Sequence, residues 1–355
     1  MEYIKLEKVC SIKTGKLDAN ASSENGAYPF FTCSKTPLKI DSYSYDCECV
    51  LVAGNGDLNV KYYNGKFDAY QRTYIIEIID KLKYSTKFLY LLVNSKIEEL
   101  RKASIGGVIK YIKLKNLLEI DIPILSKEEQ ENIVNKIFNL NKIIEIKNNQ
   151  ILKLDDLIKS QFVEMFGDPV YNEKRWNLSK LTEMGDFGRG VSKHRPRNAP
   201  ELLGGEYPLI QTGDVSNSDL YIKKYNSTYS ELGLKQSKMW PKGTLCITIA
   251  ASIAETGILT FDACFPDSVV GFTPNKNTNN IFIHYWFSFL QKIIDSKATQ
   301  VAQKNINLQV LSNLDVISPP IELQNKFAEF VKQIDKQKFV NMNLSQIIGK
   351  MSILC

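Results

Sequence analysis

The stretch from Ser126 to Phe166 constrains the fold of this chain more than any other part of its sequence. It contains neither Pro nor Gly, and Ser126 followed by Glu129 forms the capping-box pattern of a helix start. Apolar residues then recur at alternating steps of four and three, interrupted only by Lys147: Ile133, Ile137, Leu140, Ile144, Ile151, Leu154 and Ile158. This spacing places a narrow apolar stripe along a helix about 60 Å long, and it predicts that a second helix packs against the stripe.

The C-terminal segment supplies the expected partner helix. From Pro320 to Cys355 the chain has no internal Pro, and an apolar series follows the same spacing: Leu323, Phe327, Phe330, Ile334, Leu344, Ile348 and Met351. Both series have a polar middle, so antiparallel pairing would bring the two polar middles together and favour one register. Two amphipathic helices that pack on separate domains are the alternative.

Composition limits the class of protein. The chain has 355 residues, of which 44% are hydrophobic and 24% charged, as expected for a globular protein of two or three domains. It has no apolar run of transmembrane length and no apolar signal-peptide core, which predicts a cytoplasmic protein without a membrane partner. Seven Cys and two His lack zinc-type spacing, and a net charge of +6 permits an anionic partner without requiring one.

An internal repeat sets the domain organisation. The segments 1–167 and 168–355 present similar motifs in the same order: GAYPFFTCS and GEYPLIQTG, then FDA twice, then YIKLKNL and NINLQVL, then a short strand and the long helix. The fold class predicted is α+β, with two mixed α/β domains separated by two long helices that form an antiparallel coiled coil with a pseudo-two-fold repeat. The predicted boundaries are 1–122 and 167–318 for the domains and 123–166 and 319–355 for the helical regions.

Motifs for catalysis are weak in this sequence. Asp168-Pro-Val-Tyr171 superficially resembles the DPPY loop of adenine methyltransferases, but Val170 replaces the second Pro and no Gly-rich cofactor loop precedes it. The segment Gly54–Asp57 lacks the Lys and Ser/Thr of a phosphate-binding loop, and neither His has a catalytic-triad context. The sequence therefore predicts a non-catalytic protein without a metal or a cofactor of its own.

Polar and basic loops carry the main functional signal. The segment Arg189–Arg197, RGVSKHRPR, holds half of the arginines in the chain, and Arg makes bidentate contacts with phosphate and with guanine. In the second half the candidate DNA contacts are Arg189, Ser192, Lys193, His194, Arg195, Arg197, Gln211, Thr212, Asp214, Lys235, Gln236, Ser237, Gln303 and Lys304. In the first half they are Thr32, Ser34, Lys35, Asn55, Gln71, Arg72 and Lys110. For each residue taken alone, a structural or solvated role is the alternative.

The order of a globular part, a long helix, a second globular part and a second long helix resembles the specificity subunits of type I restriction-modification systems. The matching stretches are YPFFTCSK, VLVAGNGDLNVKYYNGKFDAYQRTYII, SKHRPRNAPELLGGEYPLIQTGDV and SQFVEMFGDP. The resemblance implies two target recognition domains, each of which reads one half of a split, asymmetric double-stranded DNA sequence. The helices would fix the gap between the halves.

The resemblance also implies partners. Two adenine-N6 methyltransferase subunits, which carry S-adenosylmethionine, would dock on the helices, and restriction subunits would join that complex. Segments 192–214, 31–35 and 55–72 would face DNA, without an assignment of side chains to bases. Two other readings remain, namely a self-contained DNA-modifying enzyme and a coiled-coil scaffold without base readout.

Overall fold

The structure is a computed structural model that describes residues 2–249, 254–290 and 308–354, with side chains up to residue 349. Helices and strands are mixed throughout, as predicted. The described α-helices are α1 Thr86–Ser95, α2 Ile97–Ala103, α3 Leu114–Leu118, α4 Lys127–Phe166, α5 Leu181–Met184, α6 Thr212–Ser216, α7 Glu231–Lys235, α8 Asn280–Phe287, α9 Leu308–Ser312 and α10 Ile321–Leu354. Short 3-10 helices span Leu6–Lys8, Ala19–Ala21 and Pro200–Leu202.

The described strands are β1 Tyr3–Lys5, β2 Cys10–Thr14, β3 Tyr28–Phe31, β4 Leu38–Ile40, β5 Tyr45–Ala53, β6 Val60–Ala69, β7 Thr73–Ile78, β8 Asp121–Pro123, β9 Leu178–Lys180, β10 Gly185–Arg189, β11 Leu203–Leu209, β12 Tyr221–Ile222, β13 Ser227–Tyr229, β14 Met239–Trp240, β15 Leu245–Thr248, β16 Thr256–Leu259, β17 Ala263–Cys264, β18 Val269–Pro274 and β19 Asp315–Ile317. The chain divides into two compact units. Unit 1 comprises Met1–Lys147 with Asn343–Cys355, and unit 2 comprises Asn148–Met342. Each long helix therefore contributes residues to both units.

Unit 1 is built on a six-stranded sheet in the order β2-β7-β5-β6-β3-β4. The apolar run in β5 makes this strand central, because its side chains are buried on both faces of the sheet. Val50 and Val52 belong to the core that includes Phe88 and Leu89 of α1, whereas Leu51 belongs to a second core on the opposite face. All pairs in this sheet are antiparallel except β3–β6.

Unit 2 repeats this plan with its strands divided between two sheets. The five-stranded sheet has the order β10-β18-β15-β16-β12, and the four-stranded sheet has the order β13-β11-β17-β14. The pair β11–β17 is parallel, as β3–β6 is in unit 1. Leu245 and Ile247 of β15 pack in the same core as Phe282 of α8, while Cys246 packs in a second core. The last strand before each long helix pairs antiparallel with an early strand, β8 with β1 and β19 with β9.

The ends of α4 follow the sequence signals. The predicted capping box is confirmed, since Ser126 N donates to Glu129 Oε2 over 2.8 Å and Glu129 N donates to Ser126 Oγ over 3.2 Å. The hydrogen bonds that Ser126 N and Ser126 Oγ donate to the carboxylate lower the pKa of Glu129. At the other end Gly167 has φ of +77°, a left-handed conformation that suits Gly after a helix, and its N–H donates to Val163 O.

Within unit 2 the two long helices are in contact. The rings of Phe162 and Phe166 on α4 lie 5.4 and 5.6 Å from the ring of Phe327 on α10, and Lys338 Nζ lies 2.6 Å from Asp155 Oδ1. Residue numbers rise along α10 as they fall along α4, so the contacting segments run in opposite directions. Among the described residues, no helix has the apolar run that a membrane span requires.

Candidate nucleic-acid interface

Unit 1 brings four of the predicted segments together through hydrogen bonds among loops that flank its strands. The segments follow β3, follow β5, precede β7 and precede α3. The Arg72 carbonyl accepts hydrogen bonds from Cys33 Sγ and, over 2.8 Å, from Gly54 N. The Lys110 carbonyl accepts from Gly56 N over 2.9 Å. Lys35, Gln71, Arg72 and Lys110 are exposed, so these loops form one surface, here called loop cluster 1, with Ser34 and Asn55 also on it.

An acidic side chain organises the basic groups beside loop cluster 1. Asp57 Oδ2 lies 3.3 Å from Lys35 Nζ, and Asp57 Oδ1 lies 2.8 Å from Arg101 Nη2. The hydrogen bond from Lys35 is the largest cause that lowers the pKa of Asp57. Thr32 has a local role, because it is buried and its Oγ1 accepts a hydrogen bond from Ser34 N over 3.2 Å. Asp57 and Arg101 were not predicted as a pair, since they are far apart along the chain.

In unit 2 the segment Arg189–Arg197, here called the basic loop, is held by Gln236 and Ser237. Gln236 Oε1 accepts hydrogen bonds from Lys193 N over 2.7 Å and from His194 N over 3.0 Å. Ser237 Oγ donates to Val191 O over 2.7 Å. Gln236 and Ser237 therefore fix the backbone of the basic loop, whereas Lys235 is exposed beside it.

Three arginines converge on Asp267, which sequence reasoning missed. Arg197 Nη2 lies 2.5 Å from Asp267 Oδ1, and Arg195 Nη2 lies 3.7 Å from Asp267 Oδ2. Arg189 donates through Nε to the Asp267 carbonyl. Arg195 also donates to Ser192 O over 2.7 Å and to His194 O over 2.8 Å. The single Asp267 carboxylate pairs with two guanidinium groups and its carbonyl accepts from a third, so the loop keeps a positive charge. Arg195 mainly stabilises the loop itself.

A cavity joins the basic loop to the segment after β11. Its volume is about 300 Å³, and polar side chains from both segments line it: Ser192, Arg197, Asn198, Gln211 and Thr212. Leu203, Leu209, Tyr229 and Pro266 supply apolar lining. Ser192 is 6% exposed, and among the described residues its Oγ has no hydrogen-bond partner. The cavity and the basic loop are together called loop cluster 2. Asn198 was not predicted, although it directly follows the arginine-rich segment.

The other predicted residues of unit 2 have different surroundings. Asp214 accepts hydrogen bonds from Gln211 N over 2.8 Å and from Asn226 Nδ2 over 2.7 Å, so it caps the start of α6. Gln303 and Lys304 lie outside the described residues. Among the residues that the structure describes, no cluster of His, Cys, Asp or Glu could hold a metal ion.

The predicted seam residues of the long helices differ in burial. Ile137 and Ile158 are buried, and five are half-buried, namely Ile133, Leu140, Ile144, Ile151 and Leu154. On α10, Phe327 is buried, Phe330, Ile334 and Ile348 are half-buried, and Leu344 is 39% exposed. Lys338 and Asn341, which follow Ile334 on α10, are buried although both side chains are polar. Their burial was not predicted from the sequence.

A polar cluster surrounds Lys338 in unit 2. Burial raises the pKa of Asp335, and the positive charge of nearby Lys338 partly offsets this rise. His284 of α8 is buried, and its Nδ1 lies 2.8 Å from Thr256 Oγ1. Burial lowers the pKa of His284 to about 4, so this side chain is neutral at pH 7.

The chain matches one known protein family over most of its length. The model of the family described as type I restriction modification DNA specificity domain matches residues 1–155 and again residues 173–347. The chain is 37% identical over 364 residues to the type I restriction enzyme EcoDI specificity subunit of Escherichia coli, with 93% of this chain and 80% of that protein covered. A putative specificity subunit of Haemophilus influenzae is 22% identical, with 94% of this chain and 88% of that protein covered.

Solved structures show the same fold. The specificity subunit of the type I system of M. genitalium matches with a TM-score of 0.59 and 17% identity, covering 99% of this chain and 93% of that one. A chain from a structural study of complex assembly and conformational transition of the type I restriction-modification system matches with a TM-score of 0.65 and 16% identity, covering 99% and 95%.

Proposed function

The chain belongs to the type I restriction-modification DNA specificity family, and we propose that it reads a bipartite, asymmetric DNA target through loop clusters 1 and 2, one in each unit. It acts as a specificity subunit without catalysis of its own. The observation that carries the proposal is the convergence, in each unit, of separately predicted polar segments on one surface.

Loop cluster 2 has the chemistry for base readout. Arg pairs bidentately with guanine O6 and N7, and Asn and Gln pair with adenine N6 and N7 in the major groove. Arg197, Asn198 and Gln211 line one cavity, and Asp267 holds the Arg197 guanidinium in place. A guanidinium that is already oriented loses less side-chain entropy on binding. This cluster therefore reads one half of the target.

Loop cluster 1 reads the other half. Its exposed Gln71 and Arg72 offer donors to base edges, while Lys35 and Lys110 suit phosphate contacts that position the unit on the duplex. Phosphate contacts make affinity fall with salt, whereas base contacts decide the sequence.

The long helices fix the gap between the two half-sites. Half-sites read from one face of DNA lie roughly 34 Å apart, or a multiple of this distance. We assign residues 1–122 and 167–318 to the two target recognition domains and 123–166 and 319–355 to helical regions that pair as an antiparallel coiled coil with pseudo-two-fold symmetry. The burial of the α4 seam and the α4–α10 contacts in unit 2 support this assignment.

The reaction belongs to partner chains in this proposal. Two adenine-N6 methyltransferase subunits, which bind S-adenosylmethionine, dock on the helical regions, and restriction subunits join the complex in the cytoplasm. The chain itself holds no cofactor. Methylation of adenine requires the base to leave the stack, which the methyltransferase subunits accomplish.

The test uses the chain assembled with its methyltransferase subunits. Arg197→Ala is expected to weaken binding of the cognate duplex by about 1–3 kcal/mol and to relax specificity at one base of one half-site. The matched control is Lys276→Ala, which removes one exposed positive charge elsewhere in unit 2 and is expected to leave specificity unchanged. Methylation sites would be mapped for both variants. Unchanged affinity and sequence preference in Arg197→Ala would refute readout by loop cluster 2, and methyl transfer by the chain alone would refute a non-catalytic role.

A further inference from the structure

A buried glutamine lies in the first turn of α4 and connects three parts of unit 1. Gln130 is 0% exposed. Its Oε1 accepts a hydrogen bond from Ser85 N over 2.9 Å, and its Nε2 donates to Lys83 O over 3.1 Å and to Leu125 O over 3.0 Å. Ser85 is the N-cap of α1, so one side chain joins the start of the long helix to the start of the helix that covers the sheet.

Unit 2 repeats the same arrangement bond for bond. Gln324 is also 0% exposed. Its Oε1 accepts from Asn279 N over 2.9 Å, and its Nε2 donates to Asn277 O over 3.2 Å and to Pro319 O over 2.8 Å. Asn279 is the N-cap of α8. The four residues of this set and the four of unit 1 differ by one constant offset in residue number.

Glutamine is the side chain that fits this position. Both amide protons and one carbonyl lone pair are used, which requires two donors and an acceptor on one buried planar group. Glu lacks the donors, and Met of similar length lacks both functions. Loss of the amide removes a hydrogen bond from one N–H and from two C=O groups beside a fully buried side chain, which is unfavourable for each group.

We propose that Gln130 and Gln324 are positioning residues that lock each long helix to the globular part of its own unit and so limit the gap lengths that the protein accepts between half-sites. A helix with a fixed exit direction from its unit transmits a defined spacing, whereas a loose junction accepts several spacings. This inference rests on the proposed function for its consequence on DNA, and on the two matching hydrogen-bond sets for the lock.

The two locks differ in what supports them. In unit 1, Lys127 Nζ also donates to Lys81 O over 3.1 Å and to Tyr84 O over 2.8 Å. The corresponding position in unit 2 is Ile321, which has no such donor, although Asn279 Nδ2 donates to Asn325 Oδ1 over 2.8 Å. The junction of unit 1 therefore keeps two backbone contacts to the same loop when its glutamine is removed.

The first experiment measures the lock without DNA. Amide hydrogen exchange of the full chain is compared for wild type, Gln130→Met and Gln324→Met. Exchange at Ser85 is expected to rise at least tenfold in Gln130→Met, and exchange at Asn279 is expected to rise at least tenfold in Gln324→Met, each without change at the other unit. Unchanged exchange at both amides would overturn the lock.

The second experiment measures the consequence in the methyltransferase complex. DNA substrates carry the two half-sites with the native gap or with a gap altered by one base pair. The wild-type complex is expected to methylate the substrate with the native gap and to methylate the substrate with the altered gap poorly. Both glutamine variants are expected to methylate the altered-gap substrate at least tenfold faster than wild type does. The controls are Leu117→Ala and Leu311→Ala, which truncate equivalent buried core residues of the two units and are expected to lower activity without relaxing the gap.

The outcomes are distinct. Faster amide exchange with an unchanged gap preference would overturn the link between the lock and the gap. Equal relaxation in the leucine variants would assign the effect to lost stability and would also overturn it. Absence of sequence-specific methylation by the wild-type complex would refute the proposed function, while the exchange result would still decide whether the locks exist.

Discussion

The ion pair between Lys338 and Asp155 predicts a strong asymmetry between two substitutions. The Lys338 side chain is 9% exposed, whereas that of Asp155 is 41% exposed, and the two charged atoms lie 2.6 Å apart. Asp155→Ala leaves a buried ammonium without its closest anion. Lys338→Met removes that cation and leaves a carboxylate that water can solvate. The first variant should therefore be the less stable one.

The magnitude follows from burial. Breaking a fully buried pair by removing one partner costs about 3–5 kcal/mol. The half-exposed Asp155 screens part of this interaction, and Asp335 lies close enough to Lys338 to compensate in part. We therefore expect Asp155→Ala to lower the free energy of unfolding by about 2 kcal/mol. The cost of breaking a buried pair comes from the charge that stays buried, and Lys338→Met leaves the half-exposed Asp155 carboxylate instead, so it should change the free energy of unfolding by about 1 kcal/mol or less.

Urea unfolding of the full chain, followed by the helical circular dichroism signal, measures both variants. The double variant completes a thermodynamic cycle and isolates the pair from other effects of each substitution. A Lys338→Met variant as unstable as Asp155→Ala would refute the reasoning, because it would show that the charge of Lys338 is favourable in itself.

Two further predictions concern the core of unit 2. The pKa of His284 is lowered to about 4 from an ordinary value of 6.5, so between these pH values the unfolded chain binds a proton that the folded chain excludes. The free energy of unfolding should therefore fall by up to about 3 kcal/mol as the pH drops from 6.5 to 4. Unfolding measurements at several pH values should show that His284→Gln loses this part of the pH dependence. A Cβ at Gly271 would lie 2.7 Å from the Trp240 ring, so Gly271→Ala should lower the unfolding free energy by about 1–3 kcal/mol, and an unchanged urea midpoint would show that the ring moves freely.

The sequence predicted those features that depend on local patterns. The start of α4 at Ser126, its end before Gly167 and the stripe through Ile137 and Ile158 follow from capping, helix-stop and periodicity rules, and the structure has all of them. The mixed α and β content and the order of similar motifs in both halves were likewise readable.

Features that depend on residues far apart along the chain could not be predicted from the sequence. Lys338 is buried beside Asp155, which is 183 residues away along the chain and pairs with its charge, whereas a periodicity rule treats any Lys as exterior. Asp267 pairs with Arg197 through the arrangement of strands in unit 2, which no single motif encodes. Each loop could be predicted separately from the sequence, but their convergence on one surface depends on how the strands pair in the sheets.

The matching glutamines have a consequence for how such a chain can change over time. Every hydrogen bond of Gln130 and of Gln324 stays within its own unit. A recombination event that replaces residues 1–147 with those of a relative therefore brings in the glutamine together with all of its hydrogen-bond partners. New combinations of the two units can arise in this way without coordinated substitutions at either junction.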